Sequence, residues 1–213
     1  MLILSFLDNP ILLIAWLVAI IIALTVHEFS HALMSTFLGD NTAKYSGRLT
    51  LNPKSHISGM GFLMLMLVGF GWGNPVPYNP YNLKYQRFGP AFVALAGPIS
   101  NILMVILFSI LVKVSLFTGF IGTENLLFQF LNLLIVINVI LAVFNLLPIP
   151  PLDGGKVLFS IISDIKYANI RNFLETRGPY ILLIILIMDS FFNLSIFSSI
   201  FTSIIEFVYE FLI

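Results

Sequence analysis

Apolar residues fill five stretches of the chain, and clusters of Gly, Pro, Asn and charged residues divide them. A membrane-spanning helix needs about 20 apolar residues, so residues 11–38 form the first candidate span. Gly39, Asp40 and Asn41 stop it. Residues 42–51 alternate Tyr, Thr and Leu with polar positions, which predicts a short strand ended by Pro53. The apolar stretch 57–70 is too short to span and is expected to be re-entrant. Residues 69–82 are rich in Gly and Pro and read as a hairpin-like loop. Residues 91–114 and 126–147 are two further long apolar helices. The pattern then breaks over residues 146–155, with prolines and glycines around Asp153, before a helix over 156–165. The stretch 166–177 is polar, and 179–213 is either one long span or two divided near residues 189–193. The predicted fold class is an all-α polytopic membrane protein with about four to six transmembrane helices. A re-entrant segment and a short β-hairpin-like element lie between the first two full spans, and residues 1–213 form one domain.

Composition fixes the solvent: 59% of the residues are hydrophobic and 9% charged, with a mean hydropathy of +1.02. A lipid bilayer is therefore the main partner. Ten basic residues balance ten acidic ones, so no positive excess supports nucleic-acid binding. There is no cysteine, and any transition-metal site must use His and carboxylate ligands. The first residues lack a basic signal-peptide region and read as retained. Lys44, Arg48, Lys54, Lys84 and Arg87 lie between the first and second full spans, while Lys156, Lys166, Arg171 and Arg177 follow the third. The positive-inside rule then puts both regions in the cytoplasm and the N-terminus outside, as in a multi-pass protein of a prokaryotic inner or cytoplasmic membrane. That assignment requires residues 57–70 not to cross.

His27-Glu28-Phe29-Ser30-His31 is an HExxH pattern on a helical stretch. Its two imidazoles lie one turn apart on one face, where both can bind one zinc ion. Glu28 is placed to act as a general base toward water acidified by the metal, rather than as a ligand. The bland alternative is three ordinary helix residues facing water. The apolar run before them makes that costly, because ionisable groups in a span carry a desolvation penalty. A third ligand must come from His56 or an acidic residue. Asp153 stands out, at the end of an apolar helix in NLLPIPPLDGG, although an Asp there could equally be the N-cap of the next helix. Asp189, Glu206 and Glu210 could line a water path or a gate, but both glutamates read better as interfacial.

HEFSH near the end of one span and NLLPIPPLDGG after a later one together resemble the site-2 protease family of intramembrane metalloproteases. GRLTLNPKSHI, WGNPVPYNP and AGPISN resemble further segments of that family in the same order. The resemblance implies one zinc ion held by His27, His31 and Asp153, with Glu28 as the catalytic base and Asn145 helping to hold substrate or the oxyanion. It implies cleavage within or beside a transmembrane helix of a membrane-protein or signal-peptide substrate. The loop at Gly73, Asn74, Pro75 and Val76 could pair with the unwound substrate as an added strand; an interfacial turn anchored by Trp72 and Tyr78 is the alternative. Gly97 and Asn101 are assigned to helix packing. Where family members often continue HIDP, this chain has His56-Ile57-Ser58-Gly59, and His56 is expected to be structural or to support a ligand. PDZ and CBS modules do not fit, so the chain resembles the minimal form. The competing class is a non-proteolytic membrane protein that binds or transports divalent metal, against which the intact Glu28 argues. An inactive membrane chaperone would be expected to have lost one of the four motif residues.

Overall fold

A computed structural model describes residues 9–68, 71–119 and 121–213. The N-terminal residues 1–8, expected to be retained, lie outside the described residues, as do Gly69 and Phe70 at the junction of the expected re-entrant segment and loop. In chain order the helices are α1 (Pro10–Phe37), α2 (Thr42–Tyr45), α3 (Gly59–Val68), α4 (Gly89–Thr118), α5 (Leu126–Asn145), α6 (Asp153–Ile161), α7 (Ala168–Phe191) and α8 (Ile196–Leu212).

Three of these, α1, α4 and α5, are long and apolar enough to cross a membrane. Their ends follow from local chemistry. Asn9 accepts a hydrogen bond from the Leu12 N–H at 3.2 Å, with Pro10 in the first turn of α1, and Asn125 does the same for Leu127 at 2.8 Å before α5. Both satisfy amides that a helix start leaves without partners. α4 ends at Gly119, whose φ of 64° is the left-handed conformation that stops a helix.

α4 packs against α5, α1 and α6, and α8 leans on α4 and α5. Ala19 and Ala23 of α1 bring that helix close to Val105 and Val112 of α4 and Leu134 and Ile135 of α5, the close approach that small residues permit between membrane helices. The other faces carry exposed Ile14, Val18, Leu103, Ile106 and Ile110. Such a belt would drive association in water and is the natural surface toward lipid.

Helix α3 has ten residues, about 15 Å of rise against a hydrocarbon core of about 30 Å. That length does not cross a bilayer. Its Gly61 is where the loop packs, since a Cβ there would lie 1.9 Å from the Trp72 carbonyl oxygen.

Two expectations are corrected. The strand over residues 42–51 is not formed, because Thr42–Tyr45 is helical. Asp40 accepts hydrogen bonds from the Thr42 N–H at 3.2 Å and its hydroxyl at 2.6 Å, and this local carboxylate outweighs the β propensity of the sequence. Nor is there a hairpin: among the described residues no strand occurs, only an isolated antiparallel bridge between Ile57 and Gly73. Of the two readings left open for residues 179–213, the divided one holds, and α7 begins earlier, at Ala168. Asp189 accepts a hydrogen bond from the Ile196 N–H at 2.7 Å, so it ties the start of α8 to the end of α7. The helix expected over 156–165 starts sooner, at Asp153, and ends at Ile161.

Candidate metal centre

His27 and His31 lie one turn apart on α1, buried, with their Nε2 atoms 3.0 Å from each other. Asp153, in the first turn of α6, directs Oδ2 between them, 3.2 Å from His27 Nε2 and 3.1 Å from His31 Nε2. Among the described residues these three are the group able to hold a metal ion. The N-cap of α6 is Leu152, so the capping alternative for Asp153 is overturned; its carboxylate turns to the histidines instead. Glycine makes that turn possible. A Cβ at Gly154 would stand 2.3 Å from the carbonyl oxygens of both Leu146 and Leu147, and one at Gly155 would stand 2.8 Å from Pro150 N. The first turn of α6 therefore rests directly on the backbone that leaves α5.

Each member of the group has its other polar atom tied to the protein. His31 Nδ1 donates to the Val93 carbonyl of α4 at 2.7 Å. A carbonyl only accepts, so the proton sits on Nδ1 and the neutral ring turns an Nε2 lone pair inward. His27 Nδ1 lies 2.6 Å from Asn101 Oδ1. Asp153 Oδ1 accepts from Lys156 Nζ at 3.0 Å, leaving Oδ2 for the centre. Burial opposes charge on Asp153, and the Lys156 ammonium beside its Oδ1 favours the carboxylate. Burial likewise works against the Lys156 ammonium, and the Asp153 carboxylate more than compensates, raising its pKa. Three inward lone pairs at about 3 Å repel one another unless a cation lies among them, and two imidazoles with one carboxylate suit a zinc-type ion.

The space for this cluster comes from α4. A Cβ at Gly97 would fall 2.5 Å from His31 Nε2 and 2.6 Å from His27 Nε2. Gly97 and Asn101, assigned from sequence to helix packing, are thus the wall of the centre and a partner of one of its histidines. Nothing in a single sequence fixes which helix faces α1 at that depth. Glu28 is half-buried beside His27, and its charge bears on Lys156.

The other candidates lie elsewhere. The Asn145 amide donates to the Leu141 carbonyl of its own helix at 3.0 Å. His56 is buried, donates from Nε2 to the Thr50 carbonyl at 2.7 Å, and is not a member of the metal group. It instead anchors the loop: the Asn74 N–H donates to the His56 carbonyl at 2.7 Å and the Asn74 amide to Ile57 at 3.1 Å. Arg48 donates to the Ser55 carbonyl. Gly73 forms the bridge to Ile57, while Pro75 is exposed and Val76 half-buried. Asp40, which the sequence marked only as a helix stop, is a buried hub that also accepts from Asn79 N–H at 2.7 Å and the Asn82 amide at 3.2 Å.

Residues 15–188 match peptidase family M50, the site-2 protease family that the motifs resemble, and the chain belongs to it. YwhC of Bacillus subtilis, named provisionally as a zinc metalloprotease, is 36% identical over 191 residues, 86% of this chain and 84% of its own length. Rip2 of Mycolicibacterium smegmatis, named in the same terms, is 33% identical over 165 residues, 73% of this chain and 59% of its own. Rip2 of Mycobacterium tuberculosis is 31% identical over 144 residues, 65% of this chain and 53% of its own. The chain thus spans most of YwhC but little more than half of either Rip2. No solved structure matches it.

Proposed function

We propose that this chain is a zinc-dependent intramembrane endopeptidase, acting as a single domain on transmembrane segments of membrane proteins or on remnant signal peptides. The observation that carries the reading is the convergence of His27, His31 and Asp153, from helices far apart in sequence, to about 3 Å of one another in a buried centre. Family membership and the provisional zinc metalloprotease names of the relatives support zinc as the ion. Zinc held by these three side chains would supply Lewis acidity toward a peptide carbonyl and lower the pKa of water.

The protein's own groups account for the proton traffic. Glu28 accepts a proton from the attacking water and delivers it to the departing amine nitrogen. Lys156 holds the second oxygen of Asp153 and keeps that carboxylate oriented. Asn145 would steady the substrate or its developing oxyanion from the end of α5. The segment containing Gly73, Asn74, Pro75 and Val76, already bridged to Ile57, would receive the unwound substrate by main-chain pairing. Helix α3, Gly59–Val68, would enter the bilayer without crossing it.

The test compares zinc content and cleavage of a model transmembrane substrate in the wild type, Asp153→Ala and Glu28→Gln. Asp153→Ala is expected to lose zinc. Glu28→Gln is expected to keep zinc and lose cleavage by at least about a hundredfold. A protein that binds zinc but cleaves no transmembrane substrate would instead fit a divalent-metal binder or carrier, and cleavage persisting in Glu28→Gln would refute the role given to that carboxylate.

A further inference from the structure

Two buried asparagines run from the metal centre into the interior of the bundle. Asn101 of α4 and Asn138 of α5 are both fully buried, in helices otherwise dominated by apolar residues. Asn138 Nδ2 lies 2.7 Å from the Leu134 carbonyl oxygen, Asn101 Nδ2 lies 2.7 Å from Asn138 Oδ1, and Asn101 Oδ1 lies 2.6 Å from His27 Nδ1. A burial this complete leaves no water to supply missing partners, so each group must be satisfied within the protein.

The direction of every bond in this chain is forced from its far end. A peptide carbonyl has no proton to give, so the Asn138 atom that meets Leu134 is its NH2 group. Asn138 therefore presents its oxygen to Asn101, which must answer with its own NH2 group. Asn101 is left with an oxygen facing His27, and His27 Nδ1 must carry the proton. The neutral imidazole then has its lone pair on Nε2, the atom 3.2 Å from Asp153 Oδ2. His31 reaches the same state by a shorter route, through the Val93 carbonyl.

We infer that Asn101 and Asn138 form a positioning relay that fixes the tautomer and the ring orientation of His27, with the Leu134 carbonyl as its reference point. Asn101 acts on the ligand directly, and Asn138 acts through Asn101. Without Asn138 the Asn101 amide is free to turn its NH2 toward His27. The imidazole would then accept at Nδ1 and place its proton on the nitrogen that faces the metal. Groups that hydrogen-bond the free nitrogen of a metal-bound histidine commonly matter by about 10–100-fold in metal affinity. The inference rests on His27 being a ligand, as in the reading above.

The test uses the full chain in detergent micelles with zinc as the probe, measuring affinity by chelator competition and the ring signals of 15N-labelled histidine by NMR. Asn101→Leu is expected to weaken zinc binding by about 10–100-fold, and Asn138→Leu by about tenfold although it touches no ligand. Asn101→Asp keeps an acceptor opposite His27 Nδ1 but loses the donor to Asn138 Oδ1, so it should weaken zinc binding less than Asn101→Leu. In zinc-loaded Asn138→Leu the His27 Nδ1–H signal should shift or broaden while that of His31, bonded to the backbone, stays in place. Zinc-binding wild type with Asn138→Leu and Asn101→Leu both within about twofold of it, an unmoved His27 signal, or Asn101→Asp as impaired as Asn101→Leu would each overturn the relay. A wild-type chain that takes up no zinc would remove the metal-site reading itself, and the relay with it.

Discussion

The side chain that matters most at the metal centre is the one Gly97 lacks. A methyl group there would occupy the point where the two imidazoles turn inward, 2.5 Å from His31 Nε2. Neither ring can swing aside without giving up its Nδ1 bond to Asn101 or to Val93. Gly97→Ala is therefore expected to weaken zinc binding by at least about tenfold while leaving the helix content measured by circular dichroism unchanged. Zinc affinity equal to wild type would show that the rings have room to spare. Lys156→Met preserves the apolar stem but removes the donor to Asp153 Oδ1, so the carboxylate is free to rotate. Metal affinity should fall more modestly than in Gly97→Ala, read by the same chelator competition. The chemistry of HEFSH was legible in sequence because helical periodicity alone puts its two histidines on one face. Asp153 was legible as an acid at a helix break, but its direction was not. That was decided by Gly154 resting on the carbonyls of Leu146 and Leu147 and Gly155 on Pro150. Gly97 and Asn101 were read only as packing, since their roles depend on which face of α4 meets α1.

At the level of elements, the segment after α1 illustrates how a single carboxylate overrides a pattern. Alternating Tyr, Thr and Leu promised a strand, yet Asp40 gathers Thr42, Asn79 and Asn82 and folds the segment into a turn of helix against the loop. Burial pushes the Asp40 carboxyl up, but these hydrogen bonds outweigh it and its pKa lies below the ordinary value. A carboxyl depressed in the folded state stabilises it above the unfolded pKa of about 3.9, and that contribution disappears as pH falls through the lower folded value. Asp40→Asn replaces one accepting oxygen with an NH2 group that faces donors. The variant should be less stable at neutral pH by about 1–3 kcal/mol, with the gap to wild type closing as the pH drops below about 4. Thermal unfolding of both proteins across that range checks it, and a gap that widens on acidification would contradict the sign. The long helices needed no such correction: α1, α4 and α5 begin and end within a few residues of where hydropathy put them, because lipid-facing apolar length is a local property. The division between α7 and α8 was not fixed by hydropathy, and Asp189 bonding to Ile196 supplies it.

Across the whole molecule, the position of the centre along α1 sets its depth. His27 lies about 26 Å from the start of α1 at Pro10 and about 15 Å from its end at Phe37, at 1.5 Å per residue. Centred in a hydrocarbon core of about 30 Å, α1 would put the donors well below the surface, nearer the side where the segment after α1 emerges. The same side would receive the polar loop held by Asp40 and the start of α6, with α4 and α5 returning the chain by two crossings. We propose that the basic residues before α4 and after α5 share one face, the cytoplasmic one by the positive-inside rule, with the N-terminus opposite. The chain contains no cysteine, so single cysteines can report sidedness without a background. Tyr45→Cys and Ile165→Cys, at exposed positions outside the three long apolar helices, should react with a membrane-impermeant maleimide only from the cytoplasmic side. Glu124→Cys, between α4 and α5, should react only from the other. Labelling of positions 45 and 124 from one face would require either that residues 57–70 cross after all or that α4 does not. In either case the route by which Asp153 returns to the histidines would have to be redrawn.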